Sequence, residues 1–168
     1  MWPDIAPFAW PALVKCGICG ALIGLERQLR GKPVGIRTST LIIVGTYCFI
    51  TLGRTLSASN ADIARVMAQV ITGIGFLGAG VMMNRDGQIH GVTSAAVVWM
   101  LAALGVTIGL GYGQSAVIMT GVMIAVLLGV DKLENSLRFL RKGVHAHWSD
   151  RRQRKLMKRN PPQQQPEG

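Results

Sequence analysis

The 168-residue chain consists of long apolar segments separated by polar ones, and the apolar segments are about as long as a membrane-spanning helix. The five apolar stretches lie at about 8–25, 38–56, 66–83, 92–110 and 114–130. A helix needs about 20 residues, with a range of ~17–25, to cross the hydrocarbon core of a bilayer. The pattern therefore predicts an all-α fold, a polytopic membrane bundle of five transmembrane helices that occupies residues 8–130.

Two of the five stretches depart from the simple pattern. The second stretch reaches full length only with its flanking residues, because its apolar core ends near Leu52. Pro11 and Lys15 interrupt the first stretch, so we expect its helix to begin near Ala12, with the Lys15 ammonium group extended toward the membrane surface.

The charged residues support this topology and orient it. They make up 15% of the chain, against about 25% in a soluble domain. Of the 18 Lys and Arg residues, fifteen fall on one side of a five-span topology, in the segments 26–37 and 84–91 and in the C-terminal tail. The positive-inside rule therefore predicts an external N-terminus and a cytoplasmic C-terminus. The first residues show no signal-peptide pattern.

The segment GIGFLGAG, residues 73–80, has two interpretations. Its glycines match the G-x-G-x-x-G pattern of a dinucleotide-binding turn, which should follow a strand and precede an acidic residue by ~20 positions. The segment instead lies within a continuous apolar stretch, and Ala-Ala-Val-Val stands at 95–98. Small residues allow membrane helices to approach closely, so we interpret the glycines as packing positions and expect the third helix to be central.

Small residues recur at helical spacing in the other apolar stretches too, which favours tight helix packing throughout the bundle. The predicted packing positions are Gly20, Gly24, Gly73, Gly75, Gly78, Gly80, Gly105 and Gly109.

Polar residues near the helix ends are candidates for function. Between Gly24 and Thr38, Glu26 and Arg30 are four residues apart and can pair on a helix, and glycines and Pro33 then form a tight loop. This segment is either a positive-inside loop with a capped helix end, or a charged cluster that binds an anion, a lipid headgroup or a protein partner. The candidate functional surface comprises Glu26, Arg27, Lys32, Arg37, Thr38, Gln69, Asn84 and Thr93.

Gln69 and Asn84 are placed by the pattern near the two ends of the third helix, and Thr93 and Ser94 begin the fourth. They either form hydrogen bonds between helices or line a polar path. A path for a divalent cation would need several oxygen ligands, preferably carboxylates, and Glu26 is the only carboxylate close to the cytoplasmic end of the first helix. This weighs against ion transport by the chain alone.

No motif in the sequence supports an enzyme, a cofactor or a metal site. Cys16 and Cys19 form C-x-x-C inside a membrane helix, and we interpret them, with Cys48, as small packing residues. The three histidines lack partners at zinc spacing, and no nucleophile–base pair is visible.

The C-terminal tail, residues 131–168, differs in composition from the rest of the chain. It holds ten basic and four acidic residues, and apolar residues recur at helical spacing from Leu133 to Trp148. An amphipathic helix followed by a disordered end is predicted. The simplest partner of the tail is anionic lipid, and no nucleic-acid-binding pattern accompanies its charge.

Three blocks of the sequence resemble the signature blocks of the MgtC/SapB family of bacterial membrane proteins. They are GALIGLERQLRGKPVGIRTSTLIIVG, ARVMAQVITGIGFLGAGVMM and HGVTSAAVVWMLAALGVTIGLG. The resemblance covers roughly Ala12 to Val130 and implies a five-helix domain in the bacterial inner membrane, with a periplasmic N-terminus on the orientation above. Longer family members carry a cytoplasmic ACT-like domain, and the 38 residues after Val130 are too few to form one, which is typical of a short form.

The resemblance also implies a function. It links the chain to growth under magnesium limitation, and it favours a non-enzymatic regulatory factor that contacts other membrane proteins, such as ATP synthase or a sensor kinase, over a transporter. A magnesium or other ion transporter, or a subunit of one, is the alternative, and the chain could also form a homo-oligomer.

Overall fold

The computed structural model describes residues 3–56, 59–85 and 88–129, which form five helices and one β-hairpin. The helices are α1 (Trp10–Leu29), α2 (Ile36–Leu56), α3 (Asn60–Gly80), α4 (Val92–Gly109) and α5 (Gly113–Gly129). The strands β1 (Met83–Arg85) and β2 (Gln88–His90) pair antiparallel, with Asn84 opposite Ile89. The predicted polytopic helical bundle is confirmed.

Three of the described helices, α2, α3 and α4, are long and apolar enough to cross a membrane. The helix α5 is a shorter apolar helix of 17 residues, and α1 has 20 residues but carries Lys15, Glu26 and Arg27. Contacts divide the chain into one compact unit that ends at Ile124 and another that begins at Ala125. The tail lies outside the described residues, so the predictions for it remain predictions.

The helix ends differ from the predicted bounds at α1 and α3. The helix α1 begins at Trp10, with Pro11 in its first turn, because a proline there removes no hydrogen bond within the helix. The helix α3 begins at Asn60, six residues before the apolar stretch. Its cap is Ser59, whose hydroxyl oxygen accepts a hydrogen bond of 3.3 Å from the Asp62 backbone N–H.

At its other end α3 stops at Gly80, and the chain enters the hairpin. Met83 and Asn84 therefore belong to β1, and the prediction that Asn84 lies near the end of the third helix is wrong.

The central helix of the first unit is α4, and the prediction that α3 is central is wrong. Ten residues of α4 are buried, whereas only Ile74 and Gly78 are buried in α3. The physical reason is close packing. Gly105 and Gly109 bring α4 against α2, whereas a Cβ at most of the α3 glycines would meet no atom within 4 Å.

Four glycines bring the helices α1, α2 and α4 into backbone contact. A Cβ added to Gly20 would lie 2.6 Å from the Cα atom of Thr40, and one added to Gly24 would collide with Ile36. On α4, a Cβ at Gly105 would lie 2.6 Å from the Ile43 carbonyl oxygen, and one at Gly109 would lie 2.7 Å from the Ile50 Cβ atom. Only glycine permits these approaches, so α2 is held between α1 and α4.

Candidate functional site

A group of charged and polar side chains lies inside the bundle where the last turns of α1 approach the first turn of α4. We call Glu26, Arg27, Arg30 and Ser94 the charge cluster. The contact of Gly24 with Ile36 draws this end of α1 against the start of α2, and Ser94 faces inward from α4. The cluster thus sits at the end of the bundle where α1 ends and where α2 and α4 begin.

Two ion pairs and one hydrogen bond connect the charge cluster. Arg27 donates from Nη2 to the Ser94 hydroxyl oxygen at 3.1 Å, which joins α1 to α4. The distance from Arg30 Nε to Glu26 Oε1 is 2.7 Å, and that from Arg27 Nη1 to Glu26 Oε2 is 3.7 Å. The predicted pairing of Glu26 with Arg30 is therefore present, and the carboxylate lies between two guanidinium groups.

Burial of the charge cluster is deep for ionised groups. Glu26 is 8% exposed and Arg27 4%, whereas the Arg30 side chain is 29% exposed. Both Glu26 oxygens and Arg27 Nε are buried and make no hydrogen bond with the described residues, so the short Arg30 contact is an ion pair without hydrogen-bond alignment. A buried charge is tolerated only when it is paired, so each member of the cluster depends on the others.

Burial corrects one prediction, because Glu26 and Arg27 do not lie on the surface of the loop. Both side chains are buried, and Arg27 joins α1 to α4, while Lys32, Arg37 and Thr38 are exposed around them. These exposed residues and the partly exposed Arg30 are accessible to a soluble ligand or partner at this end of the bundle.

The loop that follows α1 has a fixed conformation. Val34 adopts a φ of 70°, which is unusual for a β-branched residue, and its side chain is 7% exposed. The buried Ser39 hydroxyl donates to the Val34 carbonyl oxygen at 3.1 Å. This bond and the burial of Val34 together offset the backbone strain and order the segment that carries Lys32 and Arg37.

The remaining predicted site residues are not members of the charge cluster. Gln69 is exposed on α3, beside a groove that α3 forms with α2. Thr93 is exposed, whereas its neighbour Ser94 is buried and hydrogen-bonded. Asn84 lies in β1, opposite Ile89. The structure thus places Gln69, Asn84 and Thr93 on three different elements.

The predicted packing glycines also divide into two groups. Gly20, Gly24, Gly105 and Gly109 lie at close helix contacts, whereas a Cβ added to Gly78 would be in ordinary contact with Ala95, 3.7 Å from its carbonyl oxygen. A Cβ at Gly73, Gly75 or Gly80 would meet no atom within 4 Å. The GIGFLGAG segment is therefore helical but largely unpacked against the described part of the chain.

The sequence analysis named Ser94 as a candidate for a hydrogen bond between helices, and the bond from Arg27 confirms this, but it placed Thr93 and not Ser94 on the candidate functional surface. Ser94 is three and four residues before the apolar pair Val97 and Val98 and seven before Leu101, so it shares their helix face. All three of those residues are buried. The helical periodicity of α4 therefore places Ser94, and not Thr93, on the face that is buried in the bundle.

The fold and the cluster define a class: a polytopic helical membrane protein in which a buried hydrogen bond from Arg27 to Ser94 joins the first and fourth helices. Comparison of the sequence then gives the family. The sequence profile of the MgtC family matches residues 13–136, and the chain belongs to the MgtC family. The resemblance described above is confirmed.

Three relatives show how far the similarity extends. "Protein MgtC" of Brucella abortus (strain 2308) is 37% identical over 146 residues, 86% of this chain and 60% of the relative. "Putative magnesium transporter YhiD" of Escherichia coli (strain K12) is 37% identical over 134 residues, 76% of this chain and 61% of the relative. "Protein MgtC" of Salmonella typhimurium (strain 14028s) is 41% identical over 108 residues, 64% of this chain and 46% of the relative.

The aligned region thus spans about half to three fifths of the length of these relatives. No solved structure matches the chain.

Proposed function

We propose that the chain is a non-enzymatic regulatory protein of the bacterial inner membrane, linked to magnesium homeostasis or to adaptation to low magnesium. It acts through contact between its helices and those of a membrane-protein partner. The link to magnesium rests on family membership and on the name of the E. coli relative. The mode of action rests on the surface of α3.

An exposed row of small residues on α3 is the observation that carries this proposal. Ala68, Thr72, Gly75 and Ala79 follow one another at intervals of four, three and four, which places them on one helix face. All four are exposed, and a Cβ at Gly75 would meet no atom within 4 Å. We call this row the α3 stripe.

The chemistry of the α3 stripe suits a second helix. In lipid, helices associate by van der Waals contact where side chains are small enough for the backbones to approach. The Thr72 hydroxyl donates to the Ala68 carbonyl oxygen at 2.9 Å within α3, so its donor is already satisfied. A partner helix can therefore dock without desolvating an unpaired donor.

The charge cluster supports regulation over transport. A Mg²⁺ site needs oxygen ligands, and carboxylates are the strongest of them. The Glu26 carboxylate lies between Arg27 and Arg30, and the described residues contain no group of three metal-ligating side chains. A cation at Glu26 would have to displace two guanidinium groups.

A magnesium transporter, or a subunit of one, is the second candidate function. The name of the E. coli relative favours it, and Gln69 beside the groove between α2 and α3 is a polar group that a path would use. The two candidates differ in whether purified protein moves the ion.

Growth of a deletion strain in limiting magnesium tests the regulatory proposal. We expect the wild-type chain to restore growth and Gly75→Leu, which blocks the α3 stripe, to fail while still inserting into the membrane. The matched control is Gly45→Leu on α2, where a Cβ also meets no atom within 4 Å. If Gly75→Leu restores growth as well as Gly45→Leu does, the α3 stripe is not the contact surface.

A further inference from the structure

A groove of about 770 Å³ runs between α2 and α3 on the surface of the bundle. Both helices are long and apolar enough to span a membrane, so the groove opens toward lipid. Most of its wall is apolar. The apolar side chains that line it are Phe49, Val66, Val70, Ile74 and Leu77.

One end of the groove is charged. Asp62 and Arg65 lie in the first two turns of α3, and Gln69 follows one turn further on. From Val70 to Leu77 the α3 residues that line the groove are apolar or glycine. The groove is therefore polar at one end and apolar along the rest, just as a lipid is polar at its headgroup and apolar along its acyl chain.

The length of the groove matches one leaflet of a bilayer. From Arg65 to Leu77 the helix rises ~18 Å at 1.5 Å per residue. Half of a ~30 Å hydrocarbon core is ~15 Å. A chain that begins at the membrane surface beside Arg65 would thus end near the bilayer midplane beside Leu77.

The groove can hold an acyl chain. Its volume is about 770 Å³, and a slender, flexible chain can lie along it between the two helices. Gly53 on α2 and Gly73 on α3 have no side chains, which leaves space in the two walls of the groove.

The charges at the mouth indicate which headgroup binds. The distance from Arg65 Nη2 to Asp62 Oδ1 is 3.7 Å, longer than the ~2.7–2.9 Å of a charge-assisted hydrogen bond. The Arg65 side chain is 76% exposed and that of Asp62 is 45% exposed, so both remain accessible to a ligand. A guanidinium group binds phosphate well, and the neighbouring carboxylate attracts an ammonium group and repels an anionic headgroup.

We propose that the groove binds one acyl chain of a zwitterionic phospholipid, with the phosphate at Arg65 and the ammonium group at Asp62. Phosphatidylethanolamine has this chemistry. The site is separate from the α3 stripe, because Gly73 lines the groove whereas Gly75 does not.

Native mass spectrometry of protein taken from nanodiscs with equal phosphatidylethanolamine and phosphatidylglycerol tests the site. We expect the wild-type protein to retain phosphatidylethanolamine in preference to phosphatidylglycerol. Gly73→Phe fills the groove and should abolish retention, whereas the control Gly75→Phe, on another face of α3, should retain lipid as the wild type does. Equal retention by the two variants, or no lipid on the wild type, would overturn the proposal.

The headgroup variants test the charge assignment. Arg65→Gln should weaken retention of both lipids about tenfold, because a hydrogen bond to a charged group contributes enough for one factor of ten. Asp62→Asn should remove the preference for phosphatidylethanolamine. A wild-type preference for phosphatidylglycerol would contradict the zwitterionic assignment.

Cross-linking of the wild-type protein keeps the proposal testable if Gly73→Phe does not fold. Phosphatidylethanolamine with a diazirine in its acyl chain should form adducts at Phe49 and Val70. Adducts confined to other helices, or a dimer that carries no lipid, would show that the groove is not a phospholipid site.

Discussion

Gly91 shows how one residue fixes the junction between the hairpin and α4. Its φ is +92°, in the left-handed region, and a Cβ there would collide with the Val81 carbonyl oxygen. Both features require glycine at the position where α4 begins. The direction of α4, and with it the placement of Ser94, therefore depends on Gly91.

We predict that Gly91→Ala destabilises the protein by about 1–3 kcal/mol, the cost of a strained backbone at an L-residue. Thermal unfolding in detergent measures this. The control is Gly45→Ala, in the middle of α2 with no atom within 4 Å of its added Cβ. Equal melting temperatures for the two variants would show that Gly91 is not constrained.

Glu26 is the residue on which the charge cluster depends, because it carries the negative charge between Arg27 and Arg30. We predict that Glu26→Gln destabilises the protein by about 3 kcal/mol, because Arg27 is left buried without its counter-ion. Chemical or thermal unfolding in detergent is the measurement. Lys32→Gln, at an exposed position, serves as the control, and a loss no larger than that of the control would contradict the proposed dependence.

The sequence predicted the pairing of the charge cluster but not its burial. Spacing alone placed Glu26 and Arg30 on one helix face, because residues four apart are neighbours on any helix. Whether that face meets water or another helix depends on Ser94, which is 67 residues from Arg27 in the sequence. A contact so distant along the chain leaves no local pattern.

At the scale of the element, packing at glycines determines which helices approach closely. The helix α1 offers a direct comparison between two glycines three residues apart. A Cβ at Gly20 would lie 2.6 Å from the Thr40 Cα atom, whereas one at Gly17 would meet no atom within 4 Å.

We predict that Gly20→Leu separates α1 from α2 and lowers the stability by about 1–3 kcal/mol, as overpacking does in tight cores. Gly17→Leu should have little effect. The yield of monodisperse protein and its unfolding midpoint compare the two variants. Similar behaviour of both would show that the close approach of α1 and α2 is not required.

The element boundaries show where local patterns are informative. The five helices were predicted because long apolar stretches have few alternatives in a membrane protein. The hairpin was missed, although the sequence Asp86-Gly87 between its strands is a strong hairpin signal. The glycines of α3 suggested a central helix, but the number of sides on which a helix is packed depends on its neighbours, not on its own composition.

At the scale of the whole molecule, the distribution of charge predicts an orientation in the membrane. Lys32 and Arg37 lie exposed at the end of the bundle that holds the charge cluster, and basic residues are retained on the cytoplasmic side. The opposite end carries Arg54, which donates from Nη1 to the Gly109 carbonyl oxygen at 2.9 Å and so caps the C-terminal end of α4. That bond gives Arg54 a structural role, so a basic residue on the external side is compatible with the predicted orientation.

We predict an external N-terminus and a cytoplasmic loop after α1. Single cysteines at Asp4 and at Lys32, in a protein whose three natural cysteines are replaced by alanine, test this on intact cells. An impermeant maleimide should label the cysteine at position 4 and not the one at position 32. The reverse result would invert the topology.

The central claim is that the protein regulates a membrane partner and does not itself transport magnesium. Purified protein in liposomes that enclose a Mg²⁺-sensitive dye tests it most directly, with an ionophore as the positive control. The account predicts Mg²⁺ entry no faster than in protein-free liposomes. Mg²⁺ entry with the wild-type protein that is lost with Glu26→Ala or Gln69→Ala would contradict it.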